Sequence, residues 1–447
     1  MAAATSDAQS TGAHRRATYR GRSGINQGRT MHGETANRES ARGIQTPAGA
    51  GIPEPSRALS DTRTPARYSS IPLPASITFV LPAIGAGGSE HVVTMLCNHL
   101  SNKGKAVRLV CFAAPDARPF HTLDSRVTLV CLGPPSPPPG RLAGALEAVR
   151  RYRALHNELR VTRPDLVVSF LTRTNVVAAL AASRLAIPVI VSERNNPQYQ
   201  TVGAVWQWLR NTSYRRAKAL VTMTSGARRY FHPAVGRIDR VIPNHAHIDG
   251  PMADHSASGR QLVAVGRFVE QKGFDLLLEA FARVAARFPD WHLTIWGDGP
   301  LRPRLVALRH ALLLDDRVTM PGVTSFPGGW VAGADLFVLS SRYEGWGLVV
   351  GEAMAGGVPV VSFDCPWGPG EMIDDGVSGL LVPAGDVDAL AAALARTMND
   401  PDLRERLGGA GHRAVQAFTP ERILAQWDDL IAQVAGKPSK AAGEARP

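Results

Sequence analysis

Two carboxylates stand eight positions apart in the segment SSRYEGWGLVVGEAMAGG. Glu344 directly follows an apolar run typical of a buried strand, and Glu352 falls in the first turns of a helix predicted from about Leu348. Carboxylates can accept hydrogen bonds from diols, and the first N–H groups of a helix, here at Gly347, Leu348 and Val349, can face an anion. This one segment could therefore hold a sugar, a diphosphate and a ribose.

A hydrolytic pair is the competing interpretation of Glu344 and Glu352. Eight residues along a helix rise about 12 Å. The two carboxylates of a glycosidase stand about 5 to 5.5 Å apart in retaining enzymes and about 6.5 to 9.5 Å apart in inverting ones. The spacing therefore fits hydrolysis poorly, although a loop between the two residues could shorten the distance.

Two cations follow the predicted strand in VGRFVEQKGF. Gly266 ends the strand, and Arg267 and Lys272 lie in the loop to the next helix. Cations facing a helix N-terminus can neutralise a diphosphate. The alternative is a solvated loop that merely carries two charges.

A glycine loop lies between the first predicted strand and its helix, in ITFVLPAIGAGGSE. Gly85, Gly87 and Gly88 leave the backbone N–H groups open to an anion. The dinucleotide fingerprint is not satisfied, because its third glycine would fall on Glu90. A tight turn that needs glycine is an equally open interpretation.

One Asp-x-Asp sequence, Asp386-Val387-Asp388, resembles a metal motif. It opens a predicted helix, where Asp386 is the natural N-cap. The four cysteines lack the paired spacing of zinc sites and are expected to be free thiols of a reducing cytoplasm. We therefore expect no cofactor and no divalent metal ion in the chemistry.

Strands and helices alternate from about residue 74, and the alternation restarts after a polar stretch rich in Pro and Gly. This pattern predicts an α/β protein with two Rossmann-like, doubly wound parallel sheets that face each other across a cleft. The predicted parts are a disordered basic arm (1–73), an N-terminal Rossmann-like domain (74–242), a linker (243–258), a C-terminal Rossmann-like domain (259–418), a C-terminal helix (419–435) and a flexible tail (436–447).

Composition narrows the class of protein. Hydrophobic residues make up 44% and charged residues 20%, as in globular proteins. The sequence contains no run of 18 apolar residues, so no transmembrane span is predicted. The first residues lack the apolar core of a secretory signal. The formal charge of +12 would suit nucleic acid or an anionic membrane, but residues 1–75 and 436–447 carry +5 and +2 of it. The 360 residues between them carry only about +5.

Taken together, these motifs resemble glycosyltransferase family 4, a retaining family with the GT-B fold. EGWGLVVGE is similar to the family's E-x7-E motif, and GRFVEQK, GAGGSE, IPN, GDGP and DGVSGLLVP occur in the family's order. The resemblance covers about residues 74–435. SERNNP and SFDCPWGPGEMI resemble the subgroup that makes bacterial exopolysaccharides, capsules and lipid-linked oligosaccharides.

The resemblance implies that the N-terminal domain binds the acceptor, that the C-terminal domain binds the nucleotide-sugar donor and that helix 419–435 packs back toward the N-terminal domain. It also implies a role for each matching residue. Arg267 and Lys272 would bind the donor diphosphate in the place of a metal ion, and Glu344 would hold the hydroxyls of the donor sugar. These three are the expected catalytic residues. The expected donor-binding residues are Gly87, Gly88, Gly266, Gly297, Gly322, Val323, Gly347, Leu348, Val349, Glu352 at the ribose and Glu371.

One position departs from the family. Many members carry a histidine after the strand that here ends in VSERNN, where this chain has Arg194 or Asn195. We assign Arg194, Asn195 and Asn244 to acceptor binding. A front-face mechanism, in which the departing phosphate takes the acceptor proton, needs no protein base. His91 and His245 would stand in for the missing histidine only if the fold brings them near, whereas His121 is expected to pack or lie on the surface.

Basic and aromatic residues are interleaved in 141–163 and in VWQWLRNTSYRRAK. They suit an anionic inner-leaflet surface or a lipid-linked pyrophosphate, and a solvated helix face is an equal alternative. We therefore expect a cytoplasmic enzyme that is at most peripherally bound to the inner face of the plasma membrane. It would move a hexose or N-acetylhexosamine from a nucleotide diphosphate sugar, with UDP as the expected nucleotide, to a saccharide or lipid-linked saccharide acceptor. No nucleic acid partner is expected. A nucleotide-sugar epimerase and a basic nucleic-acid-binding protein are the alternatives.

Overall fold

The computed structural model describes residues 71–133, 141–200, 202–231, 238–253, 260–324, 326 and 328–436. The predicted arm, up to residue 70, and the tail beyond residue 436 lie outside the described residues. Residues 254–259 of the predicted linker do so as well.

The first half of the chain forms a seven-stranded parallel sheet with the order β3-β2-β1-β4-β5-β6-β7. The central strands are buried end to end, which is typical of a parallel sheet with helices on both faces. The strands are β1 (Ser76–Leu81), β2 (Ala106–Cys111), β3 (Thr128–Cys131), β4 (Leu166–Phe170), β5 (Val189–Ser192), β6 (Ala219–Thr222) and β7 (Asp239–Val241). The helices are α1 (Gly88–Asn102), α2 (Arg141–Thr162), α3 (Thr172–Ser183), α4 (Ala204–Tyr214) and α5 (Ser225–Phe231).

The second half forms a six-stranded parallel sheet with the order β10-β9-β8-β11-β12-β13. Its strands are β8 (Gln261–Val265), β9 (His292–Trp296), β10 (Val318–Gly322), β11 (Leu336–Leu339), β12 (Val360–Asp364) and β13 (Leu380–Pro383). Its helices are α6 (Phe274–Ala285), α7 (Arg302–Ala311), α8 (Leu348–Ala355), α9 (Val387–Asn399) and α10 (Pro401–Ala414). The predicted fold class, two doubly wound parallel sheets, is confirmed.

Local sequence explains where several helices begin. Gly273 has a φ of 62° and starts α6, whose apolar residues Leu277, Leu278 and Phe281 recur at helical spacing and are buried. Asp386 caps α9 by accepting a hydrogen bond from the backbone N–H of Ala389 at 2.9 Å, as the sequence predicted. The Asp-x-Asp sequence is therefore part of a helix start.

The last helix, α11 (Pro420–Ala435), leaves the second sheet and packs on the first lobe. The Trp427 ring lies 5.7 Å from that of Phe170 at the end of β4. Asp428 accepts hydrogen bonds from His99 at 2.9 Å and from Lys103 at 2.6 Å, both at the C-terminal end of α1. The N-terminal lobe is thus completed by the last helix that the structure describes.

Candidate functional site

The centre of the site is an ion pair between two loops of the C-terminal lobe. Lys272 Nζ lies 2.6 Å from Glu344 Oε1, and only 16% and 7% of the two side chains are exposed. Ser341 donates a second hydrogen bond to the same carboxylate oxygen at 2.7 Å. The structure therefore brings together the cation and the carboxylate that the sequence singled out separately.

Two loops of the C-terminal lobe are joined so that this pair can form. Ser340 Oγ donates to the carbonyl of Lys272 at 3.0 Å, and Gln271 donates to the carbonyl of Tyr343 at 3.0 Å. Arg342 forms a bidentate pair with Asp275 at the start of α6, which lowers the pKa of the Asp275 carboxyl although burial raises it. The two charged side chains are thus positioned by the backbone beneath them.

Three of the expected donor-binding glycines lie side by side at the carboxyl ends of β8, β9 and β10. The N–H of Gly297 donates to the carbonyl of Gly322 at 2.7 Å, and Gly297 has a φ of 142° that favours glycine. A β-carbon on Gly266 would stand 3.1 Å from the stem of Lys272. Val323, the next residue, is 59% exposed beside them. This edge of the sheet is the usual ligand position in doubly wound folds.

The start of α8 faces the glycine loop of the other lobe. Gly347, with a φ of 86°, is its N-cap, and half-buried Leu348 and Val349 form its first turn. A β-carbon on Gly88 would stand 3.2 Å from the Leu348 side chain. Gly87 lies at the N-cap of α1, so two helix N-termini approach each other here. Both present N–H groups and a positive dipole end to an anion.

Arg267 lies on the C-terminal lobe, and its charge acts on Glu90 of the N-terminal lobe. Its side chain is exposed. Burial raises the pKa of Glu90, in the first turn of α1, and the charge of Arg267 opposes that rise. The guanidinium is therefore near the glycine loop across the gap between the lobes.

Glu352 is buried on α8. Trp330 Nε1 donates to its carboxylate at 3.3 Å. Burial raises the pKa of Glu352 to about 7, hydrogen bonds from Trp330 and the Gly328 backbone lower it in part, and the charge of Asp249 raises it further. At neutral pH this carboxyl is poised between its protonated and ionised forms, a common feature of functional sites.

The expected acceptor residues are mostly buried. The Arg194 guanidinium lies 5.0 Å from the Phe170 ring and 5.8 Å from that of Trp427, and burial lowers its pKa to about 9. Asn195 is half-buried and Asn244 is 8% exposed. Arg194 is thus a buried packing cation, and it is the backbone of Arg194 and Asn195 that lies against the C-terminal lobe at Gly345.

Histidines that are distant in sequence form a cluster behind the glycine loop. The His91 ring lies 4.8 Å from both the His121 and the His245 ring. Burial, first of all, lowers the pKa of His91 to about 4 and that of His245 to about 3, and His121 hydrogen-bonds the Gly87 backbone. The fold therefore brings His91 and His245 together, and His121, expected to be a packing residue, belongs to the same cluster.

Several contacts of the site carry no strong sequence signal. Ser341 and Ser340 are the exception, because they lie only three and four residues before Glu344 in SSRYEG. The carboxylate of Glu371 instead accepts hydrogen bonds from the backbone of Ser225 and Gly226 in the other lobe. Cys111 and Cys131, on neighbouring strands, have sulfurs 3.3 Å apart as free thiols.

Two further properties concern metals and membranes. Within the described residues, no group of His, Cys, Asp or Glu side chains is arranged to hold a metal ion. Over the same ranges, none of the helices combines the length and the apolar character needed to cross a bilayer.

The molecule has two doubly wound parallel sheets, and an ion pair and two helix N-termini lie where their lobes meet. This arrangement defines a GT-B protein. Two family profiles match the two lobes: "Glycosyl transferase 4-like domain" at residues 87–245 and "Glycosyl transferases group 1" at residues 254–414. The chain belongs to these GT-B glycosyltransferase families.

Similar proteins are bacterial. The chain is 31% identical over 296 residues to an exopolysaccharide phosphotransferase of Streptomyces coelicolor, covering 65% of this chain but only 30% of that longer protein. It is 27% identical over 365 residues to the GalNAc-alpha-(1->4)-GalNAc-alpha-(1->3)-diNAcBac-PP-undecaprenol alpha-1,4-N-acetyl-D-galactosaminyltransferase of Campylobacter jejuni, covering 80% and 98% of the two chains. The sucrose-phosphate synthase of Thermosynechococcus elongatus shares the fold, with a TM-score of 0.70, 22% identity and coverage of 80% and 98%.

Proposed function

We propose that this protein is a retaining, metal-independent glycosyltransferase. It moves a hexose or N-acetylhexosamine from a nucleotide diphosphate sugar, UDP in the first place, to a saccharide acceptor. The observation that carries the proposal is the Lys272–Glu344 pair at the strand ends, beside the N-terminus of α8. A diphosphate placed there meets Lys272, Arg267 and the first N–H groups of the helix.

The chemistry follows from these groups. The bond between the anomeric carbon and the diphosphate breaks, and the bond to the acceptor oxygen forms on the same face of the sugar. The departing phosphate oxygen takes the acceptor proton. Arg267 and Lys272 stabilise the negative charge that develops on the diphosphate, while Glu344 holds the sugar hydroxyls. Glu352 accepts hydrogen bonds from the ribose.

The test is transfer with purified protein. Nucleotide sugars are incubated with and without saccharide acceptors, and the release of nucleoside diphosphate is measured. The anomeric configuration of the product is then determined by NMR. A transferase needs the acceptor, whereas an epimerase converts the donor alone. Activity should persist in EDTA. Loss of activity in EDTA, restored by a divalent metal ion, would contradict the proposed roles of Arg267 and Lys272.

A lipid-linked acceptor is the favoured class. The Campylobacter relative carries an undecaprenol diphosphate in the name of its substrate. In the N-terminal lobe Trp208 and Val205 of α4 are 64% and 70% exposed, and exposed Arg215, Arg216 and Lys218 follow them. Exposed apolar groups beside cations suit an anionic membrane surface.

A cavity of about 360 Å³ lies against α2 of the same lobe. Its lining includes Phe112 and Leu132 together with Arg150 and Arg153 of α2. Flotation with liposomes tests the surface: binding should require anionic lipid and fall with salt. Trp208→Ala should weaken it, and flotation that depends on neither anionic lipid nor salt would count against this surface.

A further inference from the structure

The loop 365–371, between β12 and the following turn, reaches from the donor lobe to the acceptor lobe. Glu371 Oε2 accepts a hydrogen bond from Ser225 N at 3.0 Å, and Oε1 accepts from Ser225 Oγ at 3.0 Å and from Gly226 N at 3.3 Å. These N–H groups open α5, and the first turn of a helix leaves such donors without intrahelical partners. A residue of one lobe thus caps a helix of the other.

The middle of the loop adds a second contact between the lobes. A β-carbon on Gly226 would collide with the Trp367 ring, which also lies 5.9 Å from the ring of Tyr230. Asn196 donates to the carbonyl of Pro366 at 2.9 Å. Trp367 has a φ of 61°, which is unusual for a bulky residue and persists only where the surroundings hold it.

The same loop also packs on the catalytic pair. A β-carbon on Gly368 would stand 2.8 Å from Cβ of Glu344. Cys365, at the start of the loop, is buried and close enough to Glu344 and Lys272 for their charges to act on the pKa of its thiol. The loop therefore contacts Glu344 on one side and the N-terminal lobe on the other.

We propose that loop 365–371, the interlobe clasp, couples closure of the two lobes to the placement of Glu344, with Glu371 as a positioning residue. The inference rests on the proposed function for its catalytic consequence. When Glu371 caps α5 and Trp367 seats on Gly226, the loop holds the Glu344 side chain at the strand end. When the lobes separate, both contacts break together and that support is lost.

If Glu371 acts through the clasp, its loss should lower kcat and leave UDP binding unchanged. If Glu371 lines the donor pocket, its loss should weaken UDP binding. Glu371→Gln weakens the cap. Ser225→Ala removes one hydrogen bond to Glu371 from the N-terminal lobe, and Ser225 is not itself an expected donor-binding residue. Each is expected to lower kcat about tenfold while the Kd for UDP, measured by calorimetry, changes by less than about twofold. Glu405→Gln, an exposed residue on α10 of the same lobe, is the matched control.

The double variant Glu371→Gln/Ser225→Ala separates coupled from independent effects. Because both residues serve one contact, its kcat should be no lower than that of the worse single variant. Multiplied losses would overturn the clasp. So would a weaker Kd for UDP in Glu371→Gln with an unchanged Ser225→Ala, because the carboxylate would then serve the donor.

X-ray scattering of two variants tests the clasp even if no pair of donor and acceptor gives transfer. X-ray scattering should show a larger radius of gyration for Glu371→Gln than for the parent chain. Gly226→Ala, a change that ordinarily favours a helix, should give the same expansion because its β-carbon meets Trp367. Unchanged scattering in both variants would overturn the clasp, whereas absent transfer with expanded variants would overturn only the proposed function.

Discussion

Lys272 and Glu344 lie 72 positions apart in the chain, yet their charged atoms are 2.6 Å apart in a pocket that water barely reaches. Breaking a buried pair by removing one partner leaves an uncompensated charge. The pair therefore contributes to stability as well as to the proposed chemistry.

The first prediction separates these two contributions. Lys272→Met and Glu344→Gln should each lower the free energy of unfolding by about 3 kcal/mol, and the double variant should recover most of it because no charge is left alone. Transfer should fall by about 100-fold or more in all three. Urea unfolding and initial rates check this, and a stable, active double variant would remove the pair from the mechanism.

A second prediction concerns how closely the lobes meet. A β-carbon on Gly345 would stand 2.6 Å from the carbonyl oxygen of Arg194. Gly345→Ala should hold the lobes apart and lower kcat by about tenfold to 100-fold, because misplacement by about 1 Å has such effects. Gly333→Ala, where no heavy atom would lie within 4 Å, is the control. Equal rates in the two variants would show that this approach is not needed.

A third prediction uses the pKa of Glu352, which burial raises from 4.5 to about 7. The folded protein holds this proton more tightly than the unfolded chain, so the stabilisation is complete below pH 4.5 and is lost as pH rises through 7. The Glu352→Gln side chain stays neutral at every pH. From pH 5.5 to pH 8, the free energy of unfolding of the variant should therefore rise by about 2 kcal/mol relative to that of the parent chain. Denaturation curves at both pH values measure the gain.

Ionisation of the same carboxyl lowers the stability of the fold but should strengthen donor binding. An ionised carboxylate accepts hydrogen bonds from ribose better than a protonated one, so UDP affinity should rise through pH 7 in the parent chain. In Glu352→Gln the affinity should be lower and flat with pH. A parallel rise in the variant would assign the dependence to another group.

A fourth prediction concerns the histidine cluster. Burial lowers the pKa of His91 to about 4 and of His245 to about 3, with His121, His247, Asp249 and Arg194 as charged or titratable neighbours.

Below pH 6.5 the unfolded chain binds these protons and the folded chain resists them, so stability should fall as pH drops. His245→Asn should reduce this slope by about 1.4 kcal/mol per pH unit between pH 4 and 6. His310→Asn, at an 81% exposed side chain, is the control. Identical slopes for the parent chain and His245→Asn would contradict the buried neutral state.

The sequence predicted the fold class and the local motifs because their signals are local. Alternating strands and helices identified two parallel sheets, and the spacing from Glu344 to Glu352 placed a helix start between them. Asp386 was recognised as a cap because its helix begins at once. Each of these conclusions depends on residues within one or two turns of each other.

The contacts between distant segments could not be read in the same way. Glu371 was assigned to the donor pocket from its motif, yet its partner Ser225 lies 146 positions earlier. His121 joins His91 only because a loop after β2 folds over the glycine turn. Such pairings depend on how the lobes pack, which periodicity does not encode.

The return of α11 to the first lobe has a practical consequence for dissecting the molecule. A fragment ending before the second sheet would expose Phe170 and the end of α1, which Trp427 and Asp428 cover in the intact chain. Exchange of the acceptor half between relatives should therefore carry residues 420–435 along with it. A chimera designed at a single crossover would pair one protein's lobe with another's closing helix.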